Sequence, residues 1–72
     1  VRMALLFREV SQGRVKVSLR SVGSVDVASF ARRFGGGGHT KAAGLALPGS
    51  LAEVQETVLA AARTYLNEDG RV

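Results

Sequence analysis

The sequence predicts a small α/β domain, a mixed sheet with helices packed on it, in the order strand, strand, helix, strand, helix. Three patterns carry this. Val15, Val17 and Leu19 alternate with Arg14, Lys16, Ser18 and Arg20, the two-residue period of a strand with one face in the core. Val27, Phe30, Ala31 and Phe34 recur at helical offsets behind Asp26. Leu51, Val54, Val58, Ala61, Ala62 and Tyr65 mark a second apolar stripe, behind a Ser50-x-x-Glu53 capping box. The whole chain reads as one domain.

Taken in order, residues 2–8 are apolar at both alternating positions, which predicts a strand inside the sheet and covered on both sides. Ser11, Gln12 and Gly13 then make a short turn into the strand at 14–20, paired antiparallel to the first. One face of that second strand is core and the other presents cations, with Arg20 at the strand end where a ligand-facing loop begins. Residues 21–25 form a loop around Gly23. Asp26 is placed to cap the first helix by accepting from the free amides of its first turn. Arg32 and Arg33 suit the negative end of that helix, and Gly35 suits the left-handed residue that stops it. Leu45, Ala46 and Leu47 read as a short buried strand ended by Pro48 and Gly49. The last helix is expected to run to about Asn67, with a frayed tail over 68–72.

Composition bounds the function. The chain has 72 residues, 46% of them hydrophobic, with one proline and no cysteine. Disulfides and thiolate zinc sites are thereby excluded, and cysteine usage leans to the cytoplasm. No apolar run approaches the roughly 20 residues of a membrane span, and Arg8, Glu9, Arg14 and Lys16 break any signal-like stretch. A Val1 that enters directly on a strand pattern suggests a piece of a longer protein. Ten Lys and Arg against six Asp and Glu give a formal charge of +4, a bias toward anions, nucleotides or nucleic acid.

The most unusual stretch is Gly36, Gly37, Gly38, His39, Thr40, Lys41, Ala42, Ala43, Gly44. Consecutive glycines cost backbone entropy on ordering and so need a reason. One reason is a flexible loop or a tight turn with close backbone approach. The other is a phosphate cradle, in which missing side chains let backbone N–H groups converge on an oxyanion. The flanks favour the cradle: the run is followed at once by His39, Thr40 and Lys41, all potential donors, and then by small residues fit for close packing. A P-loop is excluded because His39 and Thr40 stand where that motif has glycine before its lysine. A dinucleotide fingerprint is excluded for want of the acidic residue about 20 positions on. One histidine without a cluster of acids gives neither a catalytic metal site nor an activated serine.

Ser-Leu-Arg-Ser at 18–21, an amphipathic helix, and then Gly-Gly-Gly-Gly-His-Thr-Lys-Ala-Ala-Gly at 35–44 together resemble the DHH-associated C-terminal domain of the DHH phosphoesterases, over nearly the whole chain. Within that family the chain looks most like the nano-RNase and pAp-phosphatase type; RecJ-type exonucleases and cyclic-dinucleotide phosphodiesterases carry related domains. The resemblance implies a two-domain hydrolase whose other, N-terminal domain holds manganese, with this domain clamping a nucleotide or short single strand and not catalysing alone. It implies Arg20 and Ser21 as a substrate-contacting strand end, Gly36, Gly37 and Gly38 as the backbone phosphate contact, and His39 as the nucleotide-facing histidine. Lys41 is a further candidate, although Thr40-Lys41 departs from the usual order of a basic residue directly after the histidine. The family also suggests a homodimer. The rival expectation is a stand-alone nucleic-acid-binding domain using Arg14, Lys16 and Arg20; it lacks a stacking platform, since Phe7, Phe30, Phe34 and Tyr65 all fall in core patterns.

Overall fold

The computed structural model describes residues 2–11 and 13–70, the side chains of Asp69 and Gly70 excepted. The elements are β1 (Met3–Ser11), β2 (Arg14–Ser21), α1 (Val27–Arg32), β3 (Gly37–His39), β4 (Ala42–Pro48) and α2 (Leu51–Gly70). The sheet order is β1-β2-β4-β3 and every pairing is antiparallel. The α/β class and the elements expected from the three patterns are present. Two features differ from expectation: the sheet is antiparallel throughout and not mixed, and the glycine stretch contributes a short strand of its own, giving strand, strand, helix, strand, strand, helix. The reason is local. His39 and Ala42 pair across a two-residue turn, which returns the chain antiparallel to itself without a crossover.

Both helices lie on one face of this sheet. Val15, Val17 and Leu19 of β2 and Leu45 of β4 point into that layer, where Phe30, Val54 and Val58 meet them at near-zero exposure. The order of strands explains why β2 carries the cleanest alternation: it is central, flanked by β1 and β4, and covered on one side only. β1 departs from its sequence reading. It is an edge strand, and its second apolar face is uncovered, with Leu6 67% and Val10 46% exposed. Two helices suffice to cover one face of four strands, so an apolar second face on β1 finds nothing to pack against.

The caps form as their residues dictate. Asp26 Oδ1 accepts from the Ser29 amide at 3.1 Å and Oδ2 from its hydroxyl at 2.9 Å. Ser50 and Glu53 make the reciprocal box, at 2.9 and 3.1 Å. At the end of α1, Gly35 takes φ 80°, and the Gly35 and Gly36 amides reach back to the Arg32 and Ala31 carbonyls, the paired bonds of a Schellman stop. α2 passes the expected end at Asn67 and continues to Gly70; of the expected tail, Arg71 and Val72 lie outside the described residues, as does Gln12 of the first turn. The Tyr65 hydroxyl donates to the Asp26 carbonyl at 2.6 Å, and the Tyr65 ring packs on Phe30 while Arg33 stacks over it at 4.7 Å. This ties the far end of α2 to both ends of α1. No helix is long and apolar enough to cross a membrane among the described residues.

The glycines divide into two kinds. A Cβ at Gly36 would collide with the Gly44 carbonyl oxygen and stand 2.8 Å from Leu45 Cβ. At Gly38, φ is 146° and a Cβ would stand 2.6 Å from Ala43 Cα. At Gly37 the backbone is not left-handed and a Cβ would meet nothing within 4 Å. Gly36→Ala and Gly38→Ala are therefore expected to lower stability by about 1–3 kcal/mol, as overpacking and backbone strain do. Gly37→Ala is expected to be neutral or slightly stabilising, and thermal unfolding of the three variants would show the contrast.

The caps also set the acid response. The Ser29 amide, then its hydroxyl, hold Asp26 below its ordinary carboxylate value, and the Ser50 amide, then its hydroxyl, do the same for Glu53. A folded-state pKa below the unfolded one contributes stability above the unfolded value and loses it as pH falls through the folded value. Stability should thus decline as pH drops below the normal carboxylate range, and an Asp26→Asn, Glu53→Gln pair should flatten that decline in urea titrations run at successive pH values.

Candidate anion-binding site

Antiparallel register places the site. Arg20 of β2 pairs with Ala4 of β1 on one side and with Ala42 of β4 on the other, and Ala42 pairs with His39 of β3. Directly opposed residues point to the same face, and Leu19, beside Arg20, points into the core. Arg20, Ala42 and His39 therefore form one row on the face that no helix covers. Two strand spacings put the Arg20 and His39 Cα atoms about 10 Å apart with only a methyl group between them. The next row is barer still. Ser18 pairs with Gly44 and Gly44 with Gly37, so the floor beside the Arg20 row is largely backbone. These two rows bound a shallow depression of about 350 Å³ reaching from Lys16 and Arg20 to Gly37 and Gly38.

The position of His39 is fixed from beneath. The two-residue turn after it is anchored at both carbonyls: Thr40 accepts from the Val27 amide at 3.0 Å and Lys41 from the Ser21 amide at 2.9 Å. The first bond ties the turn to the start of α1, the second to the end of β2. The strand carrying His39 and the strand carrying Arg20 are thereby set against each other through the core as well as through β4.

The expected site residues separate accordingly. Arg20, Gly37 and Gly38 line the depression, whereas His39 shares the row of Arg20 and Ala42 but stands outside that lining. Gly36 lies behind it, with its amide committed to Ala31 and its α-carbon pressed on β4. Ser21 and Lys41 sit at the end of the sheet, and both brace the preceding loop: the Lys41 ammonium donates to the Gly23 carbonyl at 2.9 Å and the Ser21 hydroxyl to the same oxygen at 3.3 Å. The glycine run is split between a helix stop, Gly35 and Gly36, and an edge strand, Gly37 and Gly38. Its amides differ in use: those of Gly35 and Gly36 close the helix, while alternate amides along an edge strand point away from the ladder.

Sequence reading missed Ser18 and Gly44, because only the register of β2 on β4 shows that they floor the depression. It had placed Lys16 on the cationic face without linking it to the glycine run. The electrostatics of that face are one-sided. Arg8, Arg14, Lys16, Arg20 and His39 stand on it, and none makes a side-chain hydrogen bond or ion pair among the described residues. Of the described acid side chains, Glu9 pairs with Val15 on the helical side, Asp26 caps α1, and Glu53, Glu56 and Glu68 belong to α2. The charged side chains lining the depression, Lys16 and Arg20, are both cationic. A larger depression of about 500 Å³, at the other end of β4 between Leu47 and Thr57, has Glu53 as its charged group and a mostly apolar lining.

A metal does not fit these residues. No group of three or more His, Cys, Asp or Glu is gathered among the described residues, and His39 has no carboxylate beside it. Arg20 offers a planar fork of donors and His39 one directed donor, which suits a phosphate and supplies no activated water.

The chain matches the DHHA1 domain over residues 1–68. It is 42% identical over 69 residues to the bifunctional oligoribonuclease and PAP phosphatase NrnA of Thermus thermophilus, covering 94% of this chain and 21% of that protein. The chain thus spans about a fifth of the curated relative it matches, and with nearly all of its length accounted for by the family match, it belongs to the DHHA1 domain family, the associated domain of DHH phosphoesterases.

Proposed function

We propose that this chain is the substrate-holding domain of a two-domain, manganese-dependent phosphoesterase that hydrolyses short oligonucleotides, 3′-phosphoadenosine 5′-phosphate, or both. The observation that carries the reading is the row in which Arg20 and His39 flank Ala42 on the uncovered face, whose described charges are all cationic. A phosphate seated over Ala42 meets the Arg20 guanidinium on one side and the His39 ring on the other. Gly37 and Gly44 leave the adjoining floor free of side chains, so that the rest of a nucleotide can lie close to the backbone. Gly38 contributes through the edge of β3, and Gly36, Ser21 and Lys41 act by holding the strand and loop in place.

The manganese belongs to the catalytic domain, which supplies the hydrolysis when joined to this one in cis, in the cytoplasm. This chain's own residues bind and orient. Their contribution to rate is the entropy of positioning a phosphodiester before attack. A homodimer of the whole enzyme is part of the same reading, by likeness to the family.

In the full-length enzyme, Arg20→Ala and His39→Ala should each lower kcat/KM by about 10- to 100-fold, the loss expected when a hydrogen bond to a charged group is removed. Their unfolding temperatures should match the parent, since both side chains are exposed and unpaired. Gly37→Val should also fold normally and lose kcat/KM by obstructing the floor. Unchanged kinetics in all three variants would sink the reading.

A further inference from the structure

The grip at Arg20 and His39 leaves another feature of the same face unexplained. Arg8 and Lys16 stand directly opposite each other across β1 and β2. Like charges so placed repel and destabilise the pair. On its other side Lys16 meets Ala46, and Arg14 meets Pro48, so no acid among the described side chains relieves them. The described acid side chains lie on the helical side instead. An anion held between Arg8 and Lys16 would remove this repulsion.

The position relative to the first grip gives the anion its identity. Lys16 is four residues from Arg20 on the same face of the same strand, about 13 Å away. The row between them runs Leu6, Ser18, Gly44, Gly37, a trough with almost no side chain on three of its four strands. Leu6 walls it on the β1 side and is 67% exposed, an apolar surface against which a base can lie. Two cationic stations joined by a bare, partly apolar trough match a phosphodiester chain, and the span takes in a few nucleotides.

We propose that Arg8 and Lys16 form a second phosphate subsite, so that the domain holds a short single-stranded oligonucleotide along β2, from the Arg20 and His39 row toward the β1–β2 turn. This rests on the reading of that row as a phosphate grip. It adds a dependence on length: a ligand must extend beyond the first grip to gain from Arg8.

The test measures binding of a labelled dinucleotide and a labelled tetranucleotide to the full-length protein in chelator, over a series of salt concentrations. Arg8→Gln should weaken the tetranucleotide by about fivefold and reduce its salt slope by about 0.7, the loss of one phosphate contact on a single strand. It should leave the dinucleotide unchanged. Arg63→Gln, which removes the same charge from the solvent side of α2, should alter neither. The subsite is overturned if Arg8→Gln leaves the tetranucleotide unaffected, weakens both lengths equally, or is matched by Arg63→Gln. Arg20→Ala separates the two readings: dinucleotide binding lost with Arg20 but tetranucleotide binding indifferent to Arg8 removes the subsite alone, whereas dinucleotide binding indifferent to Arg20 removes the grip beneath it.

Discussion

The arrangement depends on how closely the chain after α1 can approach β4. Gly36 presses its α-carbon against the Gly44 carbonyl and Leu45, and Gly38 lies as close to Ala42 and Ala43. Any side chain at either position would push the two strands apart. Because none is there, β3 joins the sheet directly after the helix stop at Gly35, and the pairing carries His39 to the position opposite Ala42. The same contact sets the distance from His39 to Arg20 at two strand spacings. A histidine on a glycine linker would have no such fixed partner.

A second consequence concerns charge. In a domain this small, two helices cover one face of the sheet and leave the other to solvent, so each strand residue is assigned either to the core or to open water by its parity. The parity of β2 sends Val15, Val17 and Leu19 inward and its three cations outward. Acids concentrate on α2 and at the caps, on the far side of the sheet. The exposed cations keep their hydration, but the resulting polarity leaves like charges opposed at Arg8 and Lys16 and gives the uncovered face one sign of potential. Stability thus rests on the helical face, where Phe30 and Val58 hold the fold together, while the exposed side chains of Arg20 and His39 are free of structural duty.

Much of this was legible in the sequence, and for identifiable reasons. The alternation of β2, the Asp26 cap, the Ser50–Glu53 box and the Gly35 stop are local codes, each written in a few adjacent residues and each realised with the geometry its chemistry requires. β3 was not legible, because Gly-Gly-His has poor strand propensity and pairs only by virtue of the close approach to β4, a tertiary effect. β1 misled in the opposite direction: an apolar run predicts burial on both sides, but whether a strand is central or at an edge depends on neighbours it cannot specify. Among the residues of the proposed site, Arg20 and His39 follow from local pattern and motif. Ser18 and Gly44 do not, since they become neighbours of Gly37 only through register. Lys41 was visible as a charge, while its bond to the Gly23 carbonyl depends on a loop whose path no local rule dictates.

The shallowness of the depression bears on how such a face can act. Its cations are bathed in solvent, where a phosphate contact is screened by salt and offset by the ordering of long side chains. A face of this kind holds a nucleotide firmly only when something closes over it, excludes water and raises the strength of each charged contact. The sheet offers no cover of its own, since both helices are committed to the opposite side. In the proposed enzyme the cover is the catalytic domain. Binding and hydrolysis are then coupled by geometry: the surface that strengthens the grip of Arg20 and His39 is also the one that brings the reactive centre to the bound phosphodiester.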